Sequence, residues 1–398
     1  MLSKRALRLK ESATLKVSAR AMRLRSEGVD IVNLGMGEPD FDSPEHVKQA
    51  AIRAVQENHT HYTINRGILP LREAISKHML QSYQADYPPD QIIVTNGAKQ
   101  SIFNVLMAMI DAGDEVIIPS PVWPTHPEAV GLADGTAVVI QTLETKGFKL
   151  TPKQLREAIT PKTKALLLCN PCNPTGMVYS RQELTALLAE IKGTEIFFLS
   201  DEVYAPLRYG NIDYVSGAIF REMLDDRVVI LQAVSKAYAM TGWRIGFALG
   251  PTAIIKAADK IQGHSTSNAA SISQYAALAA LTGPQDVVEK MRLVYEERRT
   301  YVQNCLQEMP GLTFNIPQGA FYFFPNITGC YGQTESGKTI ANSTDLALYL
   351  LKEAHVAIVP GSGFGAEGFL RISYAASMSD LEKAMSRILK ALQRINRG

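Results

Sequence analysis

Between residues 91 and 250 the chain alternates short, densely apolar runs with stretches whose apolar residues recur at helical spacing. The runs "QIIVTNG", "DEVIIPS", "KALLLCN", "EIFFLSDE", "RVVILQAVSK" and "RIGFALG" predict strands, and "AKQSIFNVLMAMI" and "SRQELTALLAEIK" predict helices between them. Strands that are apolar on both sides leave neither face to water, so they predict a mainly parallel sheet covered by helices on both faces. Beyond about residue 285 the pattern changes. A long charged helix over "VEKMRLVYEERRTYVQNCLQEM", three apolar runs in "GAFYFFPNI", "HVAIVPG" and "FLRISYA", and a helix from Ser379 describe a smaller α+β lobe. The segment up to about Pro44 is expected to pack with it. The pattern therefore divides into residues 1–44, an N-terminal arm and part of the small domain; 45–285, the large α/β domain; and 286–398, the small C-terminal domain.

Composition narrows the class. A length of 398 residues suits two lobes and a buried site. The net charge of +2 gives no electrostatic reason to expect nucleic acid, and no apolar stretch approaches the roughly 20 residues that span a bilayer. A soluble, cytoplasmic protein with a small-molecule partner is expected, and no metal. The first 25 residues are strongly basic but lack the apolar segment of a secretory signal, and read as a surface arm or amphipathic helix. Cys169 and Cys172 form a CxxC, yet "CNPCNPTG" offers neither a second pair nor a helix start, so redox or zinc chemistry is not expected. His264 and His355 lack metal-ligand companions. "GFGAEG" (363–368) fits GxGxxG but does not sit between a strand and a helix, which argues against a dinucleotide site.

Ligands of open parallel sheets gather beyond the carboxyl ends of the strands, and polar residues recur there. Asn96, Gly97, Ala98 and Lys99 open a helix, as a phosphate cradle or as an ordinary helix start. Trp123 stands in a Pro-flanked loop, where it could stack on a planar ring or simply pack. "NPCNPTG" fixes its backbone tightly and leaves Asn173 able to present an amide. Asp201 ends a buried strand, where a carboxylate needs a partner, and Tyr204 follows it. Lys236 follows "VVILQAVS", where a desolvated amine becomes nucleophilic, and Arg244 carries a planar fork suited to phosphate. Together they outline a pocket for something planar, phosphorylated and carbonyl-bearing. Pyridoxal 5'-phosphate meets that description, with a lysine forming the Schiff base and an acidic residue facing the pyridine nitrogen.

The motifs "LGMGEPDFDSPEHV", "NPCNPTG", "SDEVY", "SKAYAMTGWRIG" and "FLRISYA" resemble, over nearly the whole chain, the fold type I pyridoxal phosphate aminotransferases, specifically the bacterial-type branch of the aspartate aminotransferase family. The resemblance implies a large domain with a mainly parallel, mixed seven-stranded sheet and a small domain built from both termini. It also implies ping-pong transfer of an amino group between a 2-amino acid and a 2-oxo acid such as 2-oxoglutarate. By position, Lys236 matches the Schiff-base lysine that also shuttles the substrate α-proton, and Asp201 the partner of the pyridinium nitrogen. Asn173 and Tyr204 match the donors to the ring oxygen, Trp123 the stacking aromatic, and Gly97, Ala98, Lys99, Ser235 and Arg244 the phosphate site. Arg371 matches the grip on the substrate α-carboxylate, assisted by Asn173 and the backbone of Gly37. Tyr62 matches a tyrosine that reaches the neighbouring subunit's phosphate, which implies a homodimer with shared sites.

Three positions depart from the family pattern: Ala233 replaces a frequent serine, Gly263 stands where the best-known members carry an arginine for the distal carboxylate, and Asn268-Ala269 replaces Asn-Pro. Lys10 in the N-terminal arm is the candidate substitute for that arginine. Aspartate and glutamate are the expected donors, with aromatic amino acids, alanine and prephenate as alternatives. A lyase on the same fold is the rival enzyme. A ligand-sensing transcription regulator would need a DNA-binding segment, for which the chain leaves no room before "LGMGEPDF".

Overall fold

The computed structural model describes residues 2–9, 13–335 and 337–396. Seven strands form its main sheet: β1 (Ile92–Thr95), β2 (Glu115–Ser120), β3 (Thr136–Gln141), β4 (Thr163–Cys169), β5 (Phe197–Asp201), β6 (Val228–Ala233) and β7 (Gly246–Leu249). They lie in the order β1-β7-β6-β5-β4-β2-β3, and every neighbouring pair is parallel except the two made by β7. The both-sided apolar runs divide as the pleat requires. In β4, Leu166 and Leu168 enter one buried cluster while Ala165 and Leu167 enter another. The first cluster is closed by helices Glu45–Gln56, Leu69–Tyr83 and Ser271–Thr282, through Val47, Leu71, Ile75 and Ala276; the second by α1 (Ala98–Met109) and helix Thr252–Ser265, through Ile102, Leu106 and Ile255. Each face thus removes a layer of side chains from water, the main driving force for this architecture.

The apolar pattern does not predict β3, "TAVVIQ". It is an edge strand paired only with β2, and Val139 is still 38% exposed, so little burial marks it in the sequence. A short helix, α2 (Thr125–Leu132), connects the end of β2 towards it.

A second core gathers around α3 (Asp286–Gln307), a three-stranded antiparallel sheet of β8 (Tyr322–Phe323), β9 (Val359–Pro360) and β10 (Leu370–Ser373), and α4 (Met378–Gln393). Val32 and Leu34 belong to this same cluster, and Val32–Asn33 pairs in parallel with Val356–Ala357. Lys383 and Arg387 on α4 hold Asp30. The segment from Gly37 to Ser43 then crosses to the large sheet. No helix among the described residues is long and apolar enough to cross a membrane.

Candidate active site

The carboxyl ends of β1, β2, β4, β5 and β6 share one edge of the sheet. Because β7 runs the other way, its amino end joins them, which is why Arg244 precedes its strand while the other candidates follow theirs. Beyond this edge lies a cavity of about 850 Å³, lined by Gly37, Ala98, Lys99, Trp123, Asn173, Asp201, Tyr204, Ser235, Lys236, Arg244 and Arg371. These positions span more than 330 residues of chain, from Gly37 to Arg371, and meet only through the topology. Tyr62 is not brought there; it stands 90% exposed. Lys10 lies outside the described residues.

At one end of the cavity, α1 starts directly after Gly97, leaving its first N–H groups without intrahelical acceptors. Gly97 has φ +81, and a methyl there would collide with the Arg244 guanidinium, so glycine is what lets the arginine lie against the helix start. Arg244 is itself left-handed at φ 57 and donates to the carbonyls of Thr241 and Asn96, at 2.8 and 3.3 Å. An oriented helix end beside a guanidinium and Ser235 is an anion site.

At the centre, Asp201 is buried, with its Oδ2 2.9 Å from Nε2 of a buried histidine, His126. That histidine sits on α2 and meets the half-buried Trp123 edge to face, at 5.4 Å between centroids. The sequence reading missed His126. Its one local signal is a histidine three residues after Trp123 at a helix start, while its partner lies 75 residues away. Lys236 points into the cavity and donates to the Gly37 carbonyl at 2.6 Å. Its amine opens onto the cavity but has protein on most sides. Burial is the main reason its pKa is lowered to about 8; Arg371 and Arg244 press in the same direction, against Glu38 and Asp201. Tyr204 is buried, its hydroxyl 2.8 Å from that of Tyr322, a second residue the sequence reading did not single out.

At the other end, Arg371 on β10 is 2% exposed. It donates to Asn173 Oδ1 at 3.0 Å and the Gly35 carbonyl at 2.8 Å, and lies between the rings of Tyr322 and Phe364. No carboxylate among the described residues pairs with it, and its Nε finds no acceptor. A buried guanidinium left this way is costly unless an anion arrives. Asn173 uses its oxygen on Arg371, which leaves its amide N–H groups free to donate into the cavity.

Several weaker signals resolve into structure. The "GFGAEG" turn docks on the end of β2, through Val122 N to the Phe364 carbonyl at 3.0 Å and Ser120 Oγ to the Gly365 carbonyl at 3.1 Å, and so sets the Phe364 ring against Arg371. Cys169 and Cys172 are free thiols whose pKa values burial raises, the setting of inert cysteines. Lys99 leans over Trp123, 5.1 Å from the ring centroid, and its amine is lowered by partial burial and by Arg244.

Comparison with known proteins identifies the family of this chain. The profile of the family described as aminotransferase class I and II matches residues 29–388. The chain is 45% identical to an aspartate aminotransferase of Geobacillus stearothermophilus, over 98% of this chain and 99% of that one. It is 43% identical to an aspartate/prephenate aminotransferase of Nitrosomonas europaea, over 98% and 99%. Among solved structures, the aspartate aminotransferase of Rhizobium meliloti superposes over 100% of both chains with a TM-score of 0.96 at 42% identity. That of Thermus thermophilus with maleate does so over 98% and 99%, with a TM-score of 0.92 at 40% identity. On the family match and this full-length similarity, the chain belongs to the class I and II aminotransferases and is a transaminase.

Proposed function

We propose that this transaminase uses pyridoxal 5'-phosphate, takes aspartate as amino donor and 2-oxoglutarate as acceptor, and works as a cytoplasmic homodimer whose lobes divide near residues 44 and 285. One observation carries the reading: Arg371, buried without a carboxylate partner among the described residues, faces the same cavity as Lys236, whose amine is lowered to about 8. A site that strands a guanidinium at one end and prepares an amine at the centre is built for a carboxylate-bearing ligand whose reacting carbon lies between them.

The donor set fits the cofactor. The start of α1 with Gly97, Ala98 and Lys99, together with Ser235 and Arg244, would hold the phosphate. Trp123 would cover the ring face, Asp201 would meet the ring nitrogen, and Asn173 and Tyr204 would donate to the ring oxygen. When bound, pyridoxal phosphate supplies an aldehyde for amine exchange and a ring that takes up the electron pair released at the substrate α-carbon. The protein does the rest. Arg371 and the Asn173 amide fix the α-carboxylate, which orients the α-hydrogen towards Lys236. The Lys236 Nζ, released from the Gly37 carbonyl, accepts that proton and returns it on the far side of the exchange. His126, 2.9 Å from its Oδ2, holds the Asp201 carboxylate aimed into the site while charge moves. Tyr62, exposed in one chain, would reach the partner's phosphate.

With Lys10 outside the described residues and Gly263 in place of an arginine, the available cation for a second carboxylate is Lys99. It lines the cavity beside Trp123 and has no ion-pair partner among the described residues. The cavity also has apolar wall from Leu9, Phe103 and Leu132, which favours prephenate as a second acceptor, in line with the Nitrosomonas relative's name.

The test is spectroscopic. Purified protein with pyridoxal phosphate should show a visible band that aspartate converts to a near-ultraviolet band and 2-oxoglutarate restores, with parallel double-reciprocal plots. A band that aspartate never converts, together with release of pyruvate and ammonia from a donor carrying a leaving group on its β-carbon such as β-chloroalanine, would instead establish a lyase.

A further inference from the structure

Tyr322 touches both halves of the site. It lies on β8, whose register sets Tyr322 opposite Ser373 and Phe323 opposite Ile372 on β10. Arg371 is therefore the diagonal neighbour of Tyr322 on the same face of the small sheet. Its guanidinium carbon rests 4.4 Å from the Tyr322 ring centroid. The Tyr322 hydroxyl, fully buried, lies 2.8 Å from the Tyr204 hydroxyl on the large lobe. It also lies 3.0 Å from where a β-carbon on Gly37 would stand, so glycine makes room for it beside the carbonyl that holds Lys236.

Two hydroxyls at this distance share one proton donor. In the reading above, Tyr204 directs its proton at the cofactor ring oxygen, which leaves Tyr322 to donate to the Tyr204 oxygen. Burial raises both phenol pKa values, so both keep their protons at neutral pH. A donor that itself accepts a hydrogen bond becomes a stronger donor, because each bond polarises the next.

We propose that Tyr322 is a positioning residue that joins the two ends of the site, donating through its hydroxyl to Tyr204 and supporting Arg371 on its ring face. This rests on the pyridoxal phosphate reading. One side chain thereby sets both the strength of the ring-oxygen hydrogen bond and the plane of the carboxylate-binding fork.

The two halves separate by mutation. Tyr322→Phe removes the hydroxyl and keeps the ring; Tyr322→Leu removes both. In the reconstituted holoenzyme, Tyr322→Phe should raise the pH midpoint of the visible band by about 0.2–0.6 pH unit, since a weaker bond to the ring-oxygen anion disfavours the deprotonated form. In a Tyr204→Phe background the same change should add nothing. The dissociation constant of maleate, measured by calorimetry on the holoenzyme, should stay within about twofold in Tyr322→Phe and rise roughly tenfold or more in Tyr322→Leu. An unchanged midpoint in Tyr322→Phe, or an equal shift with and without Tyr204, overturns the hydroxyl relay. Maleate binding weakened as much by Tyr322→Phe as by Tyr322→Leu overturns the ring-face role. Should Tyr322→Leu not fold, Tyr322→Met takes its place in the same comparison. Absence of any visible band in the wild-type protein would sink the cofactor reading itself, a distinct result.

Discussion

The low proton affinity of Lys236 makes a prediction about stability as well as reactivity. In the folded apoprotein the amine titrates at about 8 against an ordinary 10.5. Between those values the unfolded chain holds a proton that the folded chain has released. Unfolding stability therefore rises with pH across the window from 8 to 10.5, and below 8 the buried cation is a full liability. At about 1.4 kcal/mol per pH unit, reduced because the amine opens onto the cavity, the liability is on the order of 2–3 kcal/mol. Lys236→Met removes it together with the bond to Gly37, whose loss costs about 1 kcal/mol at any pH. The assay is urea denaturation of wild-type and Lys236→Met apoproteins at several pH values from 7 to 10.5. The advantage of the variant should fall by about 2–3 kcal/mol across that range, while all other titrations cancel between the two proteins. In parallel, trace acetylation of the wild-type apoprotein with mass-spectrometric quantification should give Lys236 a reactivity midpoint near 8. A stability difference independent of pH, together with a Lys236 midpoint at the surface-lysine value, would refute the reasoning.

Three further outcomes are expected. Arg371→Lys replaces a planar fork by a point charge, and kcat/KM for aspartate should fall by roughly 10²–10³ with the fold retained, as read by steady-state kinetics and circular dichroism. His126→Leu leaves the buried Asp201 without its imidazole donor, and cofactor affinity measured by Trp123 fluorescence should weaken by about 5- to 150-fold. Lys99→Ala should raise KM for aspartate at least about tenfold while leaving alanine nearly unaffected; equal effects on both donors would remove Lys99 from recognition of the second carboxylate.

The sequence carries the central strands and the residues at their ends because both follow local rules. A run such as "KALLLC" is apolar on both faces, and a charged residue directly after such a run has few places to go but the edge of the sheet. The strand "TAVVIQ" escapes because an edge strand with half-exposed side chains lacks that density. His126 and Tyr322 escape for another reason. Each is an unremarkable residue in an apolar setting, and each acquires its role from a partner 75 or 118 residues away, Asp201 or Tyr204. Pair contacts made by topology leave no local spacing to read. Lys236 and Arg244 are the intermediate case. They lie eight residues apart because β6 and β7 are adjacent and antiparallel, so the connection 234–245, with Lys236 in its short first helix (Val234–Ala237) and Arg244 just before β7, keeps both at the same edge.

The electrostatics of the cavity tie these parts together. Among the described residues, Lys99, Lys236, Arg244 and Arg371 line it against two carboxylates, Asp201 and Glu128. Burial does most to favour the neutral Lys236 amine, and Arg371 and Arg244 add to it, against Glu38 and Asp201. Anions that neutralise those arginines must therefore raise the proton affinity of Lys236 by linkage, and its protonation must in turn favour the anions. The amine is thus more readily neutral and nucleophilic when the site is empty of anions and more basic when it is filled, the order in which amine exchange and proton transfer need it. In the acetylation assay on apoprotein, inorganic phosphate and maleate together should move the Lys236 midpoint upward from about 8 by roughly 0.5–1 pH unit. The shift should vanish in Arg371→Leu for the maleate part and in Arg244→Leu for the phosphate part. If the midpoint stays fixed while both anions bind, the arginines do not govern the lysine, and burial alone sets its reactivity.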